Sequence, residues 1–286
     1  MQKQLANPLK VIILTVLPTL ALVACAPIIS TLNASVGTPL TIQLQPTKEH
    51  PTISKSDIEA VEKVVRSRIS DLGIARPSIE TIGTDKITLK LAGVKDIQQV
   101  ARVLGSTAQL EFRQQKLGTE GQLGAEMAVL NEAKAAQTKL KKAKSTDTSE
   151  IAKLQVAIDK QYTEIDKLFN KAVITGKQLQ NASPQPLSSA AWEVAIEFDR
   201  AGGDAFAKMT KSLAGTGRSI GVFLDSEPIS TPTVGPTFAE TGITGGKAVI
   251  TGNFTTETAN DLAIQLRSGA LPVPIKIIEN QVISPK

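Results

Sequence analysis

Leu40-Thr41-Ile42-Gln43-Leu44 alternates apolar and polar residues, the pattern of a strand with one buried face. The elements downstream of it decide the fold. Ser54–Leu72 carries Ile58, Val61, Val65, Ile69 and Leu72 at helical spacing. Ser56 is placed to cap this helix, Asp57 and Glu59 sit in its first turn, and Gly73 ends it. Ser78–Ile82 and Lys86–Leu91 are short alternating runs around Gly83-Thr84-Asp85, a hairpin turn. A second helix runs from Asp96 through Leu104 to Gly105, and Gln109–Arg113 is a fourth strand. The order β-α-β-β-α-β is the ferredoxin-like signature.

Downstream, Glu120–Asn170 is rich in Ala, Lys, Gln and Glu and contains no Pro. Ile151, Leu154, Ile158, Ile165 and Leu168 repeat near the heptad period, and Lys144–Ser149 is a polar break. The segment reads as two helices folded back as an antiparallel hairpin, with its lysines on a solvated face. The third region alternates strands and helices. Trp192–Phe198, Ser219–Leu224, Thr231–Val234, Lys247–Ile250 and Val273–Ile278 are strand-like, while Asp204–Leu213 and Thr255–Arg267 are helix-like. The fold class is therefore α+β: a ferredoxin-like base, a second α+β head and an inserted helical hairpin.

Upstream, Leu22-Val23-Ala24-Cys25 closes an apolar run that begins at Val11 behind Lys3 and Lys10. A basic start, an apolar stretch and a small residue before the cut make a signal-peptide layout. Cleavage before Cys25 would make residues 1–24 a lipoprotein-type signal and Cys25 the lipidated N-terminus. Two other readings stand beside this one: an uncleaved anchor helix, with Pro18 in its middle, and an ordinary buried thiol. The first two place the bulk of the chain outside the cytoplasm. The expected division is then a tether at 25–37, the base at 38–116, the hairpin at 117–172, the head at 173–269, and a return strand and tail at 270–286.

The net charge of +5 includes Lys3 and Lys10, and aromatic residues are 3% of the chain. Nucleic-acid binding is disfavoured, since no stacking platform is visible. The lone cysteine excludes an internal disulfide, and the lone histidine, His50, lies in a Pro- and Thr-rich loop. No His, Cys or carboxylate cluster has metal-ligand spacing, and no serine sits in a nucleophile elbow. Gly215-Thr216-Gly217-Arg218-Ser219 lacks the upstream strand and the Gly-Lys pair of a phosphate loop and reads as a helix cap. Asp225 and Glu227 read as hairpin polarity. No enzymatic activity and no cofactor are expected.

The third region resembles SecD, a membrane subunit of the bacterial Sec protein-export machinery, in its first periplasmic domain. The similarity runs through Phe198-Asp199, Gly202, Phe206, Thr210, Gly217-Arg218-Ser219-Ile220, Leu224-Asp225 and Ile229-Ser230-Thr231-Pro232. It continues through Ile243-Thr244-Gly245-Gly246 and Ile250–Thr255 to Leu266-Arg267-Ser268-Gly269-Ala270-Leu271-Pro272-Val273-Pro274. In the first unit, Gly105–Arg113 is similar to the family's entry into its head. The stretch Leu32–Gly37 lacks the family's Asp and paired glycines, and the chain ends at Lys286, where the family continues into a transmembrane bundle. Joined to the lipid anchor read at Cys25, which has no counterpart in the family, the resemblance implies a domain that captures exported polypeptide, beside Sec translocon subunits, without its own proton-driven motor. An envelope scaffold that kept the fold alone is the alternative. The base-to-head crossings are expected near Arg113–Leu117 and Gly269–Pro274. That makes Arg113, Leu117, Gly269, Leu271, Pro272 and Pro274 the hinge or polypeptide-binding candidates, around an apolar junction.

Overall fold

The computed structural model describes residues 39–279, apart from 49, 76, 93, 95, 144–147, 189 and 190. Residues 1–38 and 280–286 lie outside it, so the signal, Cys25, the tether and the tail expected from the sequence fall outside the described residues.

The base begins with β1 (Pro39–Leu44), α1 (Lys55–Asp71), β2 (Ser78–Ile82), β3 (Lys86–Lys90) and α2 (Ile97–Gly105). Alternation in β1 turns Leu40, Ile42 and Leu44 toward the helices, where they pack with Ile87, Leu89, Val61, Val65 and Ile69. Thr41 and Thr88 meet on the opposite face, with hydroxyl oxygens 3.1 Å apart. Helix α1 is capped by Ser54 rather than Ser56. The Asp57 N–H donates to Ser54 Oγ and the Ser54 N–H donates to the Asp57 carboxylate, a complete capping box.

The fourth strand of the base is not the one the sequence order suggests. After α2 the chain leaves as β4 (Leu110–Gln115), which pairs with β5 (Phe169–Thr175) and with β8 (Ile220–Leu224) in the head. The base sheet is closed instead by the last strand, β11 (Ile275–Glu279), antiparallel to β1 with Ile42 opposite Ile277. The resulting order, β11-β1-β3-β2, is the ferredoxin-like one. The whole head is therefore inserted between α2 and the closing strand.

Between β4 and β5 run α3 (Glu120–Lys142) and α4 (Thr148–Asp166). The head continues with β6 (Leu179–Pro186), β7 (Trp192–Phe198), α5 (Arg200–Leu213), β8, β9 (Glu227–Ser230), β10 (Lys247–Phe254) and α6 (Thr256–Ser268). Its two sheets have the orders β5-β4-β8-β9 and β10-β7-β6. Phe112, Phe198 and Phe206 meet at the centre, with ring centroids 5.2–6.2 Å apart. Strand β6 escapes sequence reading because its polar run ends with Pro184 and Pro186. It lies at a sheet edge, where proline is tolerated. Helix α5 begins four residues earlier than expected, capped by Asp199. Gly202 lies inside it where a Cβ would come 2.7 Å from Gln178. The strand expected at Thr231–Val234 shrinks to a single bridge, Ser219 to Thr233.

Helices α3 and α4 pair as an antiparallel hairpin, but their apolar seam is not closed on itself. Leu123, Leu130, Ile158, Ile165 and Leu168 join Phe169 and Phe223 of the head sheet in one cluster. Sheet β5-β4-β8-β9 is thus covered on both faces. Gly221 lies on the hairpin side, where a Cβ would sit 2.5 Å from the Phe169 and Phe223 rings.

The loop before β10 closes against α5 through Gly242, which has φ +70°. A Cβ there would lie 1.9 Å from the Ala207 carbonyl oxygen. Gly242→Ala is expected to cost about 2 kcal/mol or more, from left-handed strain plus the clash. Gly83→Ala, also at positive φ but in open space, is expected to cost only about 1 kcal/mol. Comparing the two by urea denaturation checks the close approach, and equal losses would refute it.

Candidate functional site

Base and head fall within one compact unit. Two short crossings join them: an outgoing one at 106–109, between α2 and β4, and a returning one at 269–274, between α6 and β11. They run side by side, the Leu271 N–H donating to the Thr107 carbonyl at 2.8 Å. Leu271 and Val273 insert into the base core, while Pro272 and Pro274 are half-buried. Proline fixes its own φ and restricts the residue before it, so the return path has few alternative conformations. Gly269 supplies the bend at the end of α6, with φ +83°.

Arg68 lies at the centre. It occupies the last turn of α1, on the apolar stripe, and is fully buried. Its guanidinium donates to the carbonyls of Val103 (2.8 Å), Leu104 (3.1 Å), Ser106 and Gly269 (3.2 Å). These carbonyls end α2 and α6, which have no intrahelical partners for them. One cation therefore caps the negative ends of two helices and holds both crossings. Burial pulls the Arg68 pKa down to about 10, opposed by the Asp225 carboxylate, so the group stays charged at neutral pH.

The head answers with Asp225, in the turn between β8 and β9. Its carboxylate accepts from the N–H groups of Ala108 (3.1 Å) and Gln109 (2.8 Å) and from the hydroxyls of Ser106 (2.8 Å) and Thr107. Helix α6 adds further contacts. Asp261 pairs with Arg102 at 2.8 Å and accepts from Gln99, Gln265 donates to the Arg102 carbonyl, and Arg267 reaches Asp71 at 3.1 Å. The joint is a polar latch, whereas the sequence reading expected an apolar junction. Charged and amide side chains of α1, α2 and α6 face one another here, because α6 turns its apolar side toward the head core.

Gly269, Leu271, Pro272 and Pro274 lie at this joint. Arg113 and Leu117 do not, because β4 belongs to the head. Arg113 lies beneath the hairpin, pairs with Glu111 and Asp166, and stacks 4.4 Å from the centre of the Phe223 ring. Leu117, 82% exposed, is on the turn leading into α3. Sequence reading missed Arg68, although a charged residue seven positions after Val61 on an apolar stripe was a visible signal. It also took Asp225 for ordinary turn polarity. His50 rests 3.2 Å from Asp57, outside the joint. Among the described residues there is no group of three or more His, Cys, Asp or Glu suited to a metal ion.

With this geometry, comparison with known proteins is decisive. Residues 58–116 match the family described as the N-terminal P1 domain of protein translocase subunit SecDF, and residues 149–273 match its P1 head subdomain. The chain carries a SecD-type P1 domain. It is 48% identical over 250 residues to protein translocase subunit SecD of Synechocystis sp., covering 86% of this chain and 53% of that protein. It is 35% identical over 276 residues to SecD of Prochlorococcus marinus, covering 87% and 56%. The chain spans about half the length of these curated relatives. A solved structure of the membrane component SecDF, which enhances protein export, shares the fold with a TM-score of 0.60 at 24% identity, covering 86% of this chain and all of that one. SecDF in a super-membrane-facing form gives a TM-score of 0.62 at 24% identity, over 85% of this chain and 30% of that one. The stretch between the two matched segments, 117–148, holds α3 of the hairpin. No described helix of this SecD-type domain is long and apolar enough to cross a membrane.

Proposed function

We propose that the chain acts in Sec-dependent protein export at the outer side of a membrane, where its base and head hold a segment of exported polypeptide. The observation that supports this most is the 48% identity with a SecD across base, hairpin and head together. Its partners are the exported chain and Sec translocon subunits, which supply any ion-driven movement. Cys25 carries the membrane anchor. Cys25→Ser is then expected to remove fatty-acid labelling and to block removal of residues 1–24, seen as a larger unprocessed chain, whereas acylation of the processed chain holds it on membranes at about 0.8 kcal/mol per buried methylene. Unchanged labelling would exclude the lipid anchor.

An exported segment is extended, and extended chains bind by adding a strand to a free sheet edge. Strand β2 offers such an edge: it pairs with β3 without a register shift, contains no proline and exposes Ile82. Strand β6 is a poorer edge, with two prolines and α6 packed against it. In this reading the head pivots about the crossings at 106–109 and 269–274, with Gly269, Pro272 and Pro274 as the element-terminal hinge.

The test is a fluorescent unfolded peptide titrated into the protein. Binding should weaken at least about fivefold in Ile82→Lys, because an edge charge opposes strand addition. Spin labels at Arg66→Cys and Lys208→Cys, in a Cys25→Ser background, should report a base–head distance distribution that narrows with peptide. No peptide binding would leave a scaffold, and a single distance unchanged by peptide would remove the pivot.

A further inference from the structure

Asp225 and Glu227 lie two residues apart and serve different parts of the molecule. Asp225 holds the outgoing crossing, accepting from the backbone N–H groups of Ala108 and Gln109 and from two hydroxyls. Glu227 pairs with Lys134 on α3, whose ammonium lies 5.3 Å from the centre of the Tyr162 ring of α4. Phe223, two residues before Asp225, is fully buried among the hairpin's leucines and isoleucines.

The connection between them is a two-residue turn, with a register shift in the β8–β9 pairing only beyond it, between Val222 and Phe223. Asp225 and Ser226 both adopt left-handed backbone, φ +52° and +68°, and Leu224 pairs directly with Glu227. This is the tight two-residue connection whose twist matches the paired strands. Leu224 in turn pairs with Leu110, the first residue of β4 beyond the crossing. Displacing the hairpin would pull on Phe223 and Glu227, and the stiff turn would carry that displacement to Asp225. The four contacts Asp225 makes with the crossing would then lengthen together.

We propose that the β8–β9 turn is a rigid link coupling the α3–α4 hairpin to the base–head joint, so that loading the hairpin loosens the crossing at 106–109. The hairpin is then an effector arm and Asp225, Ser226 and Glu227 are positioning residues. The inference holds whatever the joint binds, and its readout involves no peptide, so its failure is separable from that of the function proposed above. Coupling of this kind is reciprocal: what the hairpin does to the joint, the joint does to the hairpin.

The test is amide hydrogen exchange on the full chain. Lys134→Met removes the ammonium from Glu227 and keeps the bulk of the side chain. It should raise exchange at Ala108 and Gln109 at least about fivefold, the lower range of typical couplings. Asp225→Asn should in turn raise exchange of the α3 and α4 amides around Lys134 and Tyr162. A third variant with one glycine inserted after Ser226 keeps both carboxylates but breaks the stiffness. In that background Lys134→Met should leave Ala108 and Gln109 unchanged. Amides of β3, in the base core, should stay constant throughout. A rise confined to the hairpin in Lys134→Met would overturn the link. An equal rise in β3 would overturn it too, since that reports global destabilisation, and so would persistence of the effect across the inserted glycine. If Asp225→Asn does not fold, the Lys134→Met and insertion pair decides the matter alone.

Discussion

Arg68→Ala is expected to destabilise the chain by about 4 kcal/mol or more, because it strands several buried carbonyls, at about 1–3 kcal/mol each, and leaves a cavity. The carbonyls of Val103, Leu104, Ser106 and Gly269 all accept from this one guanidinium. Arg68→Lys should recover less than half of the loss, since one ammonium cannot reproduce the planar fork across two crossings. The loss should be the same at pH 6 and pH 9. Burial lowers the Arg68 pKa to about 10 in the folded chain, below the ordinary arginine value. Above about pH 10 the unfolded chain holds this proton more tightly than the folded one, so stability then rises with pH. Below that, both states are protonated and the contribution is flat. Urea denaturation at the two pH values checks this. A loss under about 1 kcal/mol, that of a single ordinary hydrogen bond, would mean that the joint does not depend on Arg68.

Phe223→Ala should cost about 3–5 kcal/mol, the range for a buried Phe. Phe223 is fully buried, stacks edge-on with Phe169 at 5.1 Å, and lies beneath Arg113 at 4.4 Å. The loss should fall on the hairpin first, seen as faster proteolysis within α3 and α4 with the Phe112–Phe198–Phe206 core still protected. Replacing residues 117–168 by a short Gly/Ser linker gives a companion result. The ends are close, since the Lys116 N–H donates to the Leu168 carbonyl at 2.8 Å, so a linker closes the gap at little entropic cost. The remainder should fold around its inner core yet self-associate, because Phe169 and Phe223 lose their cover. Adding Phe223→Thr should restore solubility. Loss of cooperative unfolding in the linker variant would show that the hairpin is part of the head's essential core.

The candidate joint was only half legible in the sequence. The run Leu266–Pro274 announces a helix end and a constrained return path through its own chemistry, Gly for the bend and Pro for the stiffness. The outgoing crossing gives no such signal. Ser106-Thr107-Ala108-Gln109 marks the way into the head by family resemblance, but nothing in its chemistry shows that Asp225, more than a hundred residues away, takes up its donors. Arg68 shows the same limit, since its place on the stripe marks burial but not the carbonyls that justify it.

The local elements are written in the chain itself. Alternation in Leu40–Leu44, the 3.6-residue stripe of α1 and the near-heptad run of α4 each report which side of an element is buried. The family resemblance was also readable, because it lies in the order of short motifs. The partner that each buried side meets emerges only in three dimensions. Leu110–Gln115 and Ile275–Glu279 are equally strand-like, and either is able to close the base sheet by pattern. The choice went to Ile275–Glu279 because Leu271 and Val273 lead it into the base core, while Phe112 finds Phe198 and Phe206 in the head. Periodicity carries no information about partners distant in the chain, since strand preference reflects packing against neighbours rather than a property of the strand. For the same reason the near-heptad run announces a hairpin but not what completes its seam, and only the fold shows Phe169 and Phe223 doing so.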